Sequence, residues 1–166
     1  MSRGAFTYGD ILSVWPYDNA ICVVEATGQQ ILDTLEWGAH SLPGEHGAFM
    51  QVSGLTYEID VSVPSGCLPD ENGLMVGIEG DRRVKNVMVD GESLDPEKTY
   101  TVAGPNYWIL DHGDGVTSFD GAAIVQEDAG LDSQLMLDCL TNVLHGVIGN
   151  EYADPYGQGR IVIVGG

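Results

Sequence analysis

Apolar side chains recur at helical spacing within "TYGDILSVW", where Ile11, Leu12 and Trp15 share one side, Thr7 stands where a cap belongs and Pro16 stops the run. A short first helix is predicted there. "AICVVEAT" follows as a β-branched run without polar alternation, the pattern of a buried strand. Next, Thr27 is followed three residues later by Gln30, the spacing of a capping box, and Ile31, Leu32 and Leu35 form the stripe of a helix over "TGQQILDTLEWGAH".

Alternation then takes over. "MQVSGLTYEIDVSV" reads as a strand in which Gly54 suggests a bulge or a close backbone approach. "RRVKNVMVDGESL" reads as a second strand turning at Asp90-Gly91, and "KTYTVAG" as a third; the three are expected to share one antiparallel sheet. "VPSGCLPDENG" between them is predicted as a loop. A helical stripe returns at Leu131, Leu135, Cys139, Val143 and Val147, widened by Leu140 and Leu144, and "RIVIV" is a closing strand. Helices and strands mix without regular alternation. The pattern therefore predicts one α+β domain, a mixed but largely antiparallel sheet packed with about three helices.

Composition narrows the functional classes. The 166 residues are 43% hydrophobic, enough for a single core, and no run approaches the ~20 apolar residues of a membrane span. Twenty-five acidic against 6 basic residues give a formal charge of −19, which repels nucleic-acid polymers and anionic lipid. It also repels small phosphate esters, so a phosphate handled nearby needs cations from elsewhere. The first helix begins almost at residue 1, which reads as a chain cut at a domain boundary, and no secretory signal precedes it.

The chain shows no catalytic machinery of its own. His40, His46, His112 and His145 are scattered without ligand spacing, and the acidic residues form no EF-hand, so no metal is expected in this chain. No serine lies in a GxSxG elbow, no phosphate-cradling loop is present, and Cys22, Cys67 and Cys139 form no pair or cluster. Cys22 and Cys139, in apolar contexts, read as buried small hydrophobes. What remains is two aromatic corners flanked by polar groups: Trp15, Tyr17 and Asn19 in one, Tyr107, Trp108, Asp111 and Asp114 in the other. Facing rings with an amide and carboxylates alongside would make a slot for a flat heteroaromatic ligand bearing hydroxyls. Aromatics beside Pro or Gly also serve as plain turn or core anchors.

Four ordered motifs in three segments carry a resemblance. "FTYGDILSVWPYDNAICVVEATGQQILDTLE", "FMQVSGLTYEID", and "SLDPEKTYTVAGPNYWILDHGDGVTSF" from Phe6 to Phe119 resemble the opening, the "SGl" strand, and the "LDP" and "GGDG" motifs of the 5′-nucleotidase C-terminal domain. The resemblance implies that all of residues 1–166 form the nucleoside-binding domain of a two-domain nucleotide hydrolase acting outside the cytoplasm. Its N-terminal metallophosphoesterase domain, absent here, would hold two divalent metal ions. A nucleotide or nucleoside, with an adenine-type base favoured, would stack between Tyr17, at the ring of the family's "PFgN", and the ring before "GDG". A gap-free alignment makes that second ring Trp108, six residues before Asp114; aligning the Asn-aromatic pair selects Tyr107 instead. Asn19 matches the amide that contacts the base, Gly113 and Asp114 match the "GD" whose carboxylate holds ribose hydroxyls, and Trp15 becomes a core residue.

Departures from the pattern matter too. The family's "NGGGIR" segment is missing and Arg3 sits too near Thr7 to replace its arginine, so this chain is not expected to cleave phosphoesters alone. His112 replaces the first glycine of "GGDG" and Asp18 a small residue beside the stacking ring. Those changes support an alternative, an acidic interaction or scaffold module of the same fold that has lost nucleotide binding. The resemblance does not separate 5′-monophosphate, UDP-sugar and 2′,3′-cyclic substrates.

Overall fold

Two threonines start the first two helices as the spacing predicts. In the computed structural model, which describes residues 4–154, 157 and 159–166, Thr7 caps α1 (Tyr8–Val14) and Thr27 caps α2 (Gly28–Ala39). Each threonine accepts the backbone N–H three residues on, and Asp10 or Gln30 accepts the threonine's own N–H. Two otherwise orphaned donors are satisfied at each helix start.

The described strands are β1 (Ile21–Thr27), β2 (Leu55–Asp60), β3 (Cys67–Pro69), β4 (Met75–Ile78), β5 (Val84–Val89), β6 (Glu92–Ser93), β7 (Thr99–Pro105), β8 (Ala123–Gln126) and β9 (Ile161–Val164). Two more helices, α3 (Asn106–Ile109) and α4 (Asp132–Asp138), complete the α+β domain. Strand pairs are antiparallel apart from β2 with β9, and they form three sheets, ordered β7-β1-β8, β6-β5-β2-β9 and β3-β4. The fold class agrees with the sequence pattern. The division into sheets does not.

The third predicted strand is the main correction: β7 pairs with β1 along its whole length, Ile21 opposite Pro105 and Thr27 opposite Thr99, instead of joining β2 and β5. The diversion happens at the start of α2. Gly28 N–H donates to Lys98 O and Gln29 N–H to Pro96 O, both at 2.9 Å, and a Cβ on Gly28 would clash with the Asp95 carbonyl. The glycine lets the "LDPEK" connection cross the helix terminus and deliver β7 to the other sheet.

Smaller departures have local causes. The strand predicted from Met50 begins only at Leu55, because Gly54 takes φ +79 with open space around it; it is a left-handed turn and not a close approach. The acidic loop contains β3, where Gly66 admits the Glu79 N–H at 2.8 Å and starts a hairpin with β4. Asp90 and Gly91 both have positive φ, as a tight hairpin turn requires, and close β5 onto β6. The last helical stripe is interrupted: α4 gives way to a wider turn over Cys139–Val143, and His145 and Gly146 take positive φ. Only Leu140 of that stripe is buried, while Leu135, Cys139, Val143 and Val147 are exposed, because this segment packs on α1 and lies outside the main core.

That core lies between α2 and the sheets, around Trp37, Ile59 and Val24. Cys22 belongs to it as predicted; Trp15 does not and is exposed. Two buried charges tie α2 to β5. Glu36 accepts the backbone N–H groups of Arg83 and Val84 at 2.9 Å each. The Arg83 guanidinium donates to Ala39 O, His40 O and Leu42 O at 2.9–3.3 Å, covering the negative carbonyl end of α2. Among the described residues no helix is long and apolar enough to cross a membrane.

Candidate functional site

Both aromatic corners lie at one end of the β1/β7 pair. The chain enters β1 from Tyr17–Asn19 and leaves β7 into α3, and Asn106 N–H donates to Ala20 O at 2.8 Å to join the two corners. On the far side of β1, Ala20 bridges Leu131 and Ile21 N–H donates to Gly130 O at 2.9 Å, which brings in the start of α4. Ordinary strand pairing thus collects three segments remote in sequence.

In the second corner, three donors converge on Asp114. Tyr107 Oη donates to Oδ1 at 3.3 Å, Trp108 Nε1 to Oδ2 at 3.1 Å and Trp37 Nε1 to the backbone carbonyl at 2.9 Å. Asp114 itself has φ 51, a left-handed backbone that aspartate tolerates better than most residues. Space around it is made by glycines. A Cβ on Gly113 would run into the Tyr107 ring, and one on Gly47 would lie 2.7 Å from Asp114 Oδ2. Tyr107 therefore rests on the Gly113 backbone. Trp108 is half-buried and, with Met50, Ser53, Gly54, Val102 and Ile109, lines a mostly apolar cleft of about 460 Å³ along β7 that includes neither Tyr17 nor Asn19.

Asp111 stands aside, accepting from Asn106 Nδ2 at 3.1 Å, and His112 turns to Asp120, Nε2 to Oδ1 at 2.6 Å. The imidazole that replaces a glycine is thus engaged by a neighbouring carboxylate.

In the first corner Tyr17 is 82% exposed, with its ring open to solvent. Asp18 has φ 49, and its Oδ1 accepts from Ser133 Oγ at 2.7 Å. Asn19 Nδ2 donates to Asp132 Oδ2 at 3.4 Å, and Asp132 N–H donates back to Asn19 O at 3.0 Å. One amide hydrogen is occupied; the second and the amide oxygen are what Asn19 has to offer a ligand.

Sequence reasoning missed Trp37, Gly47, Asn106, Asp132 and Ser133. Each reaches the corners through long-range packing, and the nearest sequence signal was the invitation of a tryptophan on α2 to find a partner for its N–H. Arg3 lies outside the described residues. Among the described residues no group of three or more His, Cys, Asp or Glu side chains is placed to hold a metal ion. The donor set does not fit a dinuclear centre, and no step through a metal is assigned to this chain.

Behind Asp114, His40 stacks on Trp37 with ring centroids 4.3 Å apart and meets His46 edge-on at 4.5 Å. Burial holds the His40 imidazole below its ordinary value near 6.5, with His46 and Arg83 adding to the effect. The unfolded chain then takes up this proton first as pH falls, so folding stability is expected to decline below about pH 6.5. Urea midpoints compared at pH 7.5 and 5.5 check this: His40→Gln should flatten the part of the decline that wild type shows, and an unchanged slope in the variant would refute the assignment.

Comparison with known proteins adds the decisive observation. The family model described as 5′-nucleotidase, C-terminal domain, matches residues 1–121. The chain belongs to this family. The match contains both aromatic corners and ends before α4. Within the 5′-nucleotidase C-terminal domain family, the chain is similar to the trifunctional nucleotide phosphoesterase protein YfkN of Bacillus subtilis, 29% identical over 161 residues, 97% of this chain and 10% of that protein. It is also similar to the 2′,3′-cyclic-nucleotide 2′-phosphodiesterase/3′-nucleotidase of Salmonella typhimurium, 29% identical over 124 residues, 64% of this chain and 19% of that protein. Among solved structures, a 5′-nucleotidase precursor from Thermus thermophilus matches with TM-score 0.75 and 31% identity over 96% of this chain and 28% of that one. The chain spans 10% to 24% of the length of the curated relatives it matches.

Proposed function

We propose that this chain is the nucleoside-binding domain of a metal-dependent nucleotide hydrolase acting outside the cytoplasm, with Tyr17 and Trp108 as the two walls of a base slot and Asp114 as the acceptor for ribose hydroxyls. The observation that carries the reading is the convergence of both corners at one end of the β1/β7 pair. Trp108 is favoured over Tyr107 as the second wall because Tyr107 already rests on Gly113. Asn19 and Gly113 complete the slot, one through its amide, the other by leaving room.

The charge of −19 fits this division of labour. A neutral nucleoside is held here, while the phosphate is met by two divalent metal ions in an N-terminal metallophosphoesterase domain, which supply Lewis-acid activation when bound. Binding energy gathered on the base, remote from the reacting phosphorus, positions it for attack. The domain alone cleaves nothing in this reading. Similarity both to a 5′-nucleotidase precursor and to a 2′,3′-cyclic-nucleotide 2′-phosphodiesterase supports a nucleotide substrate without selecting one phosphate geometry.

Titration of adenosine into the chain, followed by amide chemical shifts, tests the proposal. Affinity is expected in the millimolar range, about −4 kcal/mol. Tyr17→Ala should weaken it roughly ten-fold, since one stacking ring contributes about 1–3 kcal/mol. In the complete enzyme the same change should raise KM and lower kcat/KM. An absence of shifts at Tyr17, Trp108 and Asp114 at saturating adenosine would favour the second reading, an acidic interaction module. That reading draws on Asn19 and Asp114 already having partners within the chain.

A further inference from the structure

Among the described residues Tyr17 is the most exposed of the large aromatic side chains, yet the residues after it are held firmly. Ser133, 2% exposed at the start of α4, sends its hydroxyl to Asp18 Oδ1 at 2.7 Å. Its neighbour Asp132 receives the Asn19 amide, returns a backbone N–H to Asn19 O, and accepts the Ser133 N–H at 2.6 Å. Three hydrogen bonds thus couple two residues after Tyr17 to two residues of α4 more than a hundred positions away, and a fourth ties those two α4 residues to each other.

We propose that Ser133 and Asp132 are positioning residues for the Tyr17 wall: the first turn of α4 latches Asp18 in its left-handed conformation and so sets where the ring and the Asn19 amide stand.

The physical case is one of backbone freedom. A tyrosine 82% exposed has few packing contacts to fix it, so its direction follows from the backbone that carries it. Asp18 at φ 49 is a conformation that an aspartate visits but does not prefer. A hydrogen bond from a buried hydroxyl holds that minority state. Preorganisation of this kind raises affinity by removing the ordering cost from the binding step. It also gives Asp18 a role: its carboxylate is turned to Ser133 rather than crowding a ligand on the ring.

The latch deepens the nucleoside-binding reading and rests on it for its consequence, though its structural part is independent. The test uses the whole chain with two readouts, ¹⁵N order parameters at Tyr17 and Asn19, and adenosine affinity from chemical shifts. Wild type should show order near 0.85 at both amides; Ser133→Ala should drop them toward 0.6, on the order of a flexible loop. Adenosine affinity should fall about five-fold in Ser133→Ala. Asp18→Asn, which keeps the accepting oxygen and tolerates the left-handed backbone, should stay near wild type. Asp18→Gly removes the bond from the other side, and the double variant with Ser133→Ala should be no weaker than the single one. It also carries the test if Ser133→Ala misfolds. Unchanged order at Tyr17 in both bond-removing variants, or lost order with unchanged affinity, would overturn the latch. Lost order in a chain whose wild type binds no adenosine would uphold the latch and overturn the nucleoside reading instead.

Discussion

Glu36→Ala is expected to cost about 3–5 kcal/mol of folding stability, the range for removing one side of a buried charged network. The carboxylate has no solvent exposure, and its two oxygens each accept one backbone N–H, from Arg83 and Val84. Alanine leaves both donors buried and unpaired and opens a cavity between α2 and β5. Glutamine keeps one acceptor but turns an NH₂ toward the other donor, so it should recover only part of the loss. The damage would spread because Arg83 also secures the carbonyl end of α2 from the same strand start. Urea unfolding measures it: the midpoint should move with an unchanged slope. A loss under 1 kcal/mol would mean that water reaches the two amides.

Asp114→Ala should have the largest effect on ligand binding, about a 10- to 100-fold loss of adenosine affinity, the range for a hydrogen bond to a charged group. Two consequences add up. The proposed acceptor for ribose hydroxyls disappears, and Tyr107 and Trp108 lose the carboxylate to which both donate. A comparison with 2′-deoxyadenosine separates them. Wild type should prefer the ribonucleoside, and the variant should bind both equally weakly. A variant that kept the preference would place the ribose elsewhere and leave Asp114 as a brace for the two rings. Trp37, held by the Asp114 backbone carbonyl, should be unaffected by the loss of the side chain.

His112 bears on the same face. Its pairing with Asp120 draws the imidazole toward that carboxylate, so the substitution of a glycine by histidine is accommodated by a local partner. Asp18 is accommodated in a similar way through Ser133. The two departures that argued for a binding-dead module are therefore both engaged inside the chain, and this weakens that argument without removing it.

Local chemistry was legible in the sequence. Thr7 and Thr27 announced their helices because a capping box is a three-residue event. Asp90-Gly91 announced its turn because two positive φ values need those residue types. Ordered motifs also carried the family, now supported over residues 1–121. The stripe from Leu131 to Val147 misled, because periodicity reports a face and not what covers it; most of that face is exposed.

Long-range pairing was decided only in the tertiary structure. β7 has the alternation of any strand, and the choice of β1 over β5 was made by a backbone crossing at Gly28. That choice places Tyr107, Trp108 and Asp114 beside the Tyr17 corner. The sequence by itself determined which residues could form a slot, since ring, amide and carboxylate chemistry belongs to the residue. Which of them stand together, and that Asp132 and Ser133 hydrogen-bond Asn19 and Asp18, depended on β1 being paired on both edges, a relation between segments that no local pattern encodes.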